Sequence, residues 1–155
     1  MIYSRSTEYA IRALVPLAQV PDGRYTMVKT IAEQERIPTH FLAKILQQLA
    51  RKGLLRSSKG PQGGFILNVP PDEIRLLDIV EALDGLQPFQ LAADGVENIP
   101  DGLYCAMHVE WADLQQEILD YLKDNTVADL VKALDLKRKA IARRARRKAA
   151  AARRN

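Results

Sequence analysis

Residues 39–67 read THFLAKILQQLARKGLLRSSKGPQGGFIL, and this run decides the fold. Leu42, Ile45, Leu46 and Leu49 recur at helical spacing, which predicts a helix burying one stripe. Gly53 stands where such a helix stops, since glycine is favoured just past a helix C-terminus. Two strand-like runs, 54–58 and 65–67, then flank a tip rich in glycine and proline, which predicts a hairpin. Upstream, Ile37-Pro38-Thr39 makes a break. A short helix over about 26–34 precedes it, with Thr26 as its cap and Val28, Ile31 and Ala32 turned inward. A first helix over 5–19, capped by Ser4 or Ser6, buries Ala10, Ala13, Leu14, Leu17 and Ala18. Three helices with a tight turn between the second and third form a helix-turn-helix pattern. The hairpin that follows directly is a wing.

Downstream, Pro70-Pro71 closes the wing and Asp72 is placed to cap a fourth helix. Leu76, Ile79, Val80 and Leu83 form its apolar stripe, and Gly85 follows it. Residues 86–103 show no period and read as a loop. A long helix is predicted over 104–124. Along it Met107, Trp111, Leu114, Ile118 and Tyr121 repeat in steps of 4, 3, 4 and 3, a heptad-like stripe. Asn125-Thr126 restarts a short last helix, to about 134. Beyond it, 137–155 contain almost no large apolar residues and cannot pack a core.

The chain has 155 residues, of which 47% are hydrophobic and 27% charged, enough for one core and a short extra element. No apolar run reaches membrane-spanning length, and the charged N-terminus lacks the apolar region of a signal peptide. With a single cysteine, Cys105, no internal disulfide is possible, and a reducing, cytoplasmic setting is expected. Charge is divided sharply. Residues 1–65 carry 10 Lys/Arg against 4 Asp/Glu, residues 66–136 carry 3 against 15, and residues 137–155 carry 10 against 0. Basic segments attract phosphate backbones by releasing counterions, whereas an acidic middle should face away from nucleic acid.

On the third helix the face opposite the leucines shows His40, Lys44, Gln47 and Arg51, with Thr39 and Phe41 beside its first turn. Such a face suits the major groove, where the first residues of a recognition helix reach base edges. Lys59 and Gln62 sit on the hairpin tip, whose glycines let backbone approach a phosphate or minor groove. A nucleotide-binding loop is excluded, because Gly63-Gly64 runs into Phe65-Ile66-Leu67 and not into a helix. Cys105 and His108 are one helical turn apart at the start of the long helix, which is half a metal site. Glu8, Glu97 or Asp101 are further oxygen donors. A partly buried thiol and a surface histidine are the alternative. No catalytic constellation is present, so an enzyme is not expected.

Several runs together are specific. They are Ser4-Arg5 leading to Tyr9-Ala10, Ile31-Ala32, Ile37-Pro38, Phe41-Leu42 and Leu49-Ala50-Arg51-Lys52-Gly53-Leu54. The wing Lys59-Gly60-Pro61-Gln62-Gly63-Gly64-Phe65 and the run Ile79-Val80-Glu81-Ala82-Leu83-Asp84-Gly85 complete the set. In these the chain resembles the Rrf-type family of bacterial winged-helix regulators over roughly residues 1–134. The resemblance implies a mainly α fold with a small β-hairpin: a winged helix-turn-helix over 1–70, then a linker helix, a sensor loop and a long dimerisation helix over 71–136. It implies a homodimer joined through the long helix and a repressor acting on a palindromic operator in double-stranded DNA. By matching position, Ser4, Arg5, Thr39, His40, Phe41, Lys44, Lys59, Gly60, Pro61 and Gln62 would face DNA. Cluster-binding members carry three cysteines in the loop and at the start of the long helix, and here only Cys105 remains. An iron–sulfur cluster would have to rest on Cys105, His108 and Glu8. A cofactor-free regulator, a thiol sensor using Cys105 alone, or a module docking a metabolic partner protein are the other expectations. The tail, 137–155, lies outside the resemblance. Its alanine and arginine favour helix, and it is expected to be disordered without DNA or a helical arm induced by DNA, adding phosphate contacts.

Overall fold

A computed structural model describes residues 3–21, 23–86 and 103–152; within 103–109 and 146–152 only the backbone is described. The expected loop over 86–103 therefore lies almost wholly outside the described residues. The elements run α1 (Arg5–Ala18), α2 (Val28–Glu35), α3 (Thr39–Arg51), β1 (Leu55–Ser58), β2 (Gly64–Leu67), α4 (Leu76–Leu83), α5 (Leu103–Asp124) and α6 (Val127–Ala152). The mainly α winged helix is the fold found.

One core serves all of them. Leu14 of α1, Ile31 of α2, Leu42, Leu46 and Leu49 of α3, Leu55 of β1 and Ile79 and Val80 of α4 are buried together. Leu122 of α5 and Val127 of α6 close the same cluster. The stripes read from the spacing are thus the stripes that pack, because a helix must bury its apolar face against another element. The corner between α2 and α3 is built on Arg36, which adopts a left-handed backbone at φ 55°. There the amide of Ile37 donates to the carbonyl of Ala32 at 2.9 Å, and the Ile37 side chain drops into the core. Arg12 braces this corner from α1. Its guanidinium donates to the Glu35 carbonyl and lies 3.5 Å from the Glu35 carboxylate.

In the wing, β1 and β2 pair antiparallel with Leu55 opposite Leu67 and Ser58 opposite Gly64. The tip is a tight turn closed by the Gly63 amide on the Gly60 carbonyl at 2.9 Å, with Pro61 second in the turn. Asn68 ties the base, its side-chain amide donating to the Gly53 carbonyl at 2.8 Å.

Three expectations are corrected. Thr26 does not cap α2. Its amide and carbonyl both pair with Phe65, at 2.9 Å each, adding an isolated antiparallel bridge on the other side of β2, and α2 begins at Val28. Asp72 does not cap α4 either. Residue 75 is held extended by its bridge to Thr126, so α4 starts only at Leu76, where the Asp78 carboxylate accepts from the Arg75 amide at 2.9 Å. The last helix is longer than expected: α6 runs unbroken over Val127–Ala152, 26 residues. Alanine and arginine are strong helix formers, and the packed first turns supply the nucleus that an isolated tail would lack. α6 opens on a reciprocal cap. The Thr126 hydroxyl donates to Asp129 at 2.7 Å, and the Asp129 amide donates back at 3.3 Å. Hydrogen bonds from the Thr126 hydroxyl, then its amide, hold the Asp129 carboxyl below its ordinary range.

Candidate nucleic-acid interface

α3 has no acidic residue, and its N-terminus carries no side-chain cap. An uncapped helix start with free amides favours an anion. Leu42, Ile45, Leu46 and Leu49 fix the helix in the core, so Thr39, His40, Lys44, Gln47 and Arg51 all stand exposed on the other side. Phe41, expected to face DNA, is 41% exposed, and its ring meets the edge of Tyr9 at 6.1 Å. It therefore both reaches the surface and locks the start of α3 to α1.

The wing carries Lys59, Gly60, Pro61 and Gln62 exposed on its tip. Its orientation depends on the two glycines that follow. A side chain at Gly63 would overlap the Ser58 carbonyl, and one at Gly64, where φ is +149°, would overlap the Thr26 carbonyl. The tip and α3 belong to one unit, because Leu49 and Leu55 are buried in the same cluster and the Leu54 amide donates to the Leu49 carbonyl at 3.0 Å.

At the start of α1, Ser4 is exposed and is also engaged within the fold. Ser4 caps the helix, its hydroxyl accepting from the Thr7 amide at 3.2 Å. Its own donors go to Asp84, the amide at 2.8 Å and the hydroxyl at 2.5 Å. The fully buried Thr7 hydroxyl donates to the same carboxylate at 2.9 Å. Asp84 is the residue that sequence reading missed. It stood in the run 79–85 that carried the resemblance, but no local pattern announces a partner 80 positions away. Its carboxylate holds the start of α1 against the end of α4, and so presents the exposed Arg5.

On α5 the large apolar residues Trp111, Leu114 and Tyr121 are 53%, 46% and 58% exposed, while Ile118 packs inward. The side chain of Met107 lies outside the described residues, as do those of Cys105 and His108. The third expected donor, Glu8, lies 3.6 Å from the Arg12 guanidinium. Iron–sulfur clusters are held by four ligands, mostly cysteine thiolates. Cys105 is the one thiolate each copy of this chain offers, so a cluster held mostly by cysteines does not fit it.

A helix-turn-helix with an exposed acid-free recognition face and a wing of basic and glycine residues defines a winged-helix DNA-binding protein, not an enzyme. The chain belongs to the Rrf2 family, whose model, described as an iron-dependent transcriptional regulator, matches residues 3–133. A protein of Aquifex aeolicus assigned as an HTH-type transcriptional regulator is 36% identical over 134 residues, covering 84% of this chain and 92% of that protein. A similarly assigned protein of Synechocystis is 34% identical over 131 residues, covering 84% and 87%. Among solved structures, CymR, the global cysteine regulator of B. subtilis, superposes with a TM-score of 0.71 at 27% identity, covering 84% of this chain and 95% of that one. T. potens IscR superposes with a TM-score of 0.67 at 26% identity, covering 84% and 86%. The chain is accordingly a DNA-binding transcription regulator.

Proposed function

We propose that the chain is an operator-binding repressor that acts as a homodimer on a palindromic site. The observation that carries this reading is the recognition face itself. His40, Lys44, Gln47 and Arg51 are all exposed on a helix whose other side is fully buried, and the wing tip is fixed to the same core. The first turn of α3 would read base edges while Lys59 and Arg5 take phosphates. Ser4 serves by positioning Arg5. The exposed apolar residues of α5 support a two-fold seam, since a surface stripe that includes Trp111, Leu114 and Tyr121 has the composition of an interface core. Such a regulator works in the cytoplasm, and no helix among the described residues is long and apolar enough to cross a membrane.

Selection from a random duplex pool tests the reading. Bound sequences should converge on an inverted repeat whose half-sites are about one helical turn apart or a multiple of it. Failure to converge, with recovery of a stoichiometric protein partner instead, would replace it by the docking module.

The donor set makes regulation without an iron–sulfur cluster the expected mode. Protein purified aerobically should show no visible iron–sulfur absorption, and anaerobic purification should not change this. A visible band that disappears in Cys105→Ala would overturn the assignment.

A further inference from the structure

We propose that the second half of α6 is a preformed, sequence-independent DNA-binding rod that grips phosphates outside the operator contacts. The inference rests on the DNA-binding reading above. Its first observation is charge. After Asp135 the chain holds no acidic residue, and residues 137–155 carry 10 Lys/Arg. The second is order. α6 is anchored at Val127, with Leu130 against the core, and continues as helix to Ala152. Residues 137–152 thus extend about 24 Å at about 1.5 Å per residue. The third is exposure. Lys137, Arg138, Lys139, Arg143 and Arg144 are all exposed, and only Arg138 has a carboxylate near it, Asp135 at 4.0 Å, among the ion pairs of the described residues.

This arrangement stabilises nothing by itself. Cations four apart on a helix, such as Lys139 and Arg143, repel one another. A polyanion laid along the helix reverses the sign of that term. Arginine suits phosphate in particular, since its planar fork donates two parallel hydrogen bonds. Because the helix already exists, binding spares most of the ordering entropy that a disordered arm must lose.

Two other acidic surfaces fit less well. Interfacial membrane helices bury a broad apolar face of large side chains. Beyond Leu136 this segment offers Ile141 alone, the remainder of its apolar residues being alanine. Among the described residues the acidic middle reaches this segment only through Asp135, beside Arg138, and residues 139–145 are exposed along their length. The family model ends at residue 133, so the rod is an addition to the common fold.

The test compares the full chain with a variant carrying Lys137→Gln, Arg138→Gln, Lys139→Gln, Arg143→Gln and Arg144→Gln. Glutamine retains helix propensity, and unchanged circular dichroism establishes that the fold is kept. Both bind a mixed-sequence duplex across a KCl series. Each phosphate contact contributes about −0.9 to the slope of log affinity against log salt, so the variant's slope should be shallower by about 2 or more. Its affinity at moderate salt should fall roughly tenfold or more. A companion with Lys137→Arg and Lys139→Arg keeps the charge and should bind as the parent does. An unchanged slope in the glutamine variant overturns the proposal. So does an unchanged slope with lost binding to phosphatidylserine vesicles, which would assign the rod to membranes. A third variant, Lys44→Ala with Lys59→Ala, separates the two readings. If it alone becomes shallower, the rod fails and the winged head stands; if the parent binds no duplex at all, both fail.

Discussion

Asp84→Ala should destabilise the protein by about 2–4 kcal/mol, because it strips a charged acceptor from three donors and leaves a buried hydroxyl unpaired. The Ser4 amide, the Ser4 hydroxyl and the Thr7 hydroxyl all end on that one carboxylate. Thr7 is fully buried, so water cannot substitute there without opening the contact between α1 and α4. For a chain of this size, about 2–4 °C of melting temperature accompanies each kcal/mol, so a loss of roughly 5–15 °C is expected. Thr7→Val in the Asp84→Ala background should recover part of the loss, since it removes the orphaned donor. That non-additivity is what a direct contact predicts. Chemical denaturation of the single and double variants measures it. A loss under about 0.5 kcal/mol, the level of an ordinary surface substitution, would mean that the carboxylate does not anchor α1.

Lys44→Ala together with Lys59→Ala should weaken binding to the selected operator about a hundredfold, taking about 1–2 kcal/mol for each charged contact. The salt slope should drop by about 1.8 if both lysines meet phosphates, and by less if Lys44 meets a base edge. The two side chains are exposed and take no part in the core. The melting temperature should therefore stay at the parent value, which separates this loss from that of Asp84→Ala. Titration of the labelled operator over a range of salt gives both quantities. Parent-like affinity in the double variant would show that DNA meets another face.

How much of this was legible from the chain follows the range of the interactions involved. The stripe Leu42, Ile45, Leu46 and Leu49, the stop at Gly53 and the wing tip are local in sequence, and periodicity and turn chemistry reveal them. The apolar residues left exposed on α5 were legible for the same reason, as a repeat on a helix otherwise acidic. What was missed is non-local. Thr26 has the chemistry of a helix cap, yet a ladder with Phe65 claims its backbone. Asp72 likewise looks like a cap, but the extended bridge from Arg75 to Thr126 delays α4 past it. Asp84 follows an apolar helix stripe and has the look of a solvated end. Only the return of α1 beside α4 gives it three donors. The length of α6 was misjudged on a different ground. Absence of apolar side chains argues against a core, but it does not argue against helix when the segment grows from a turn that is already packed.

The glycine pair at 63 and 64 has a consequence for how this protein can change over generations. At both positions a backbone oxygen occupies the space a side chain would need, and at Gly64 the torsion itself disfavours one. Any substitution there should move the whole wing, so these two codons ought to be frozen even though they stand next to an exposed turn. Among the residues just before them, Lys59, Pro61 and Gln62 face open solvent and can be exchanged without disturbing the hinge that aims them, whereas Gly60, at φ +105°, is held to glycine by its own torsion. Preference for a new target sequence can then be acquired by drift at the tip, on a mount that does not itself drift.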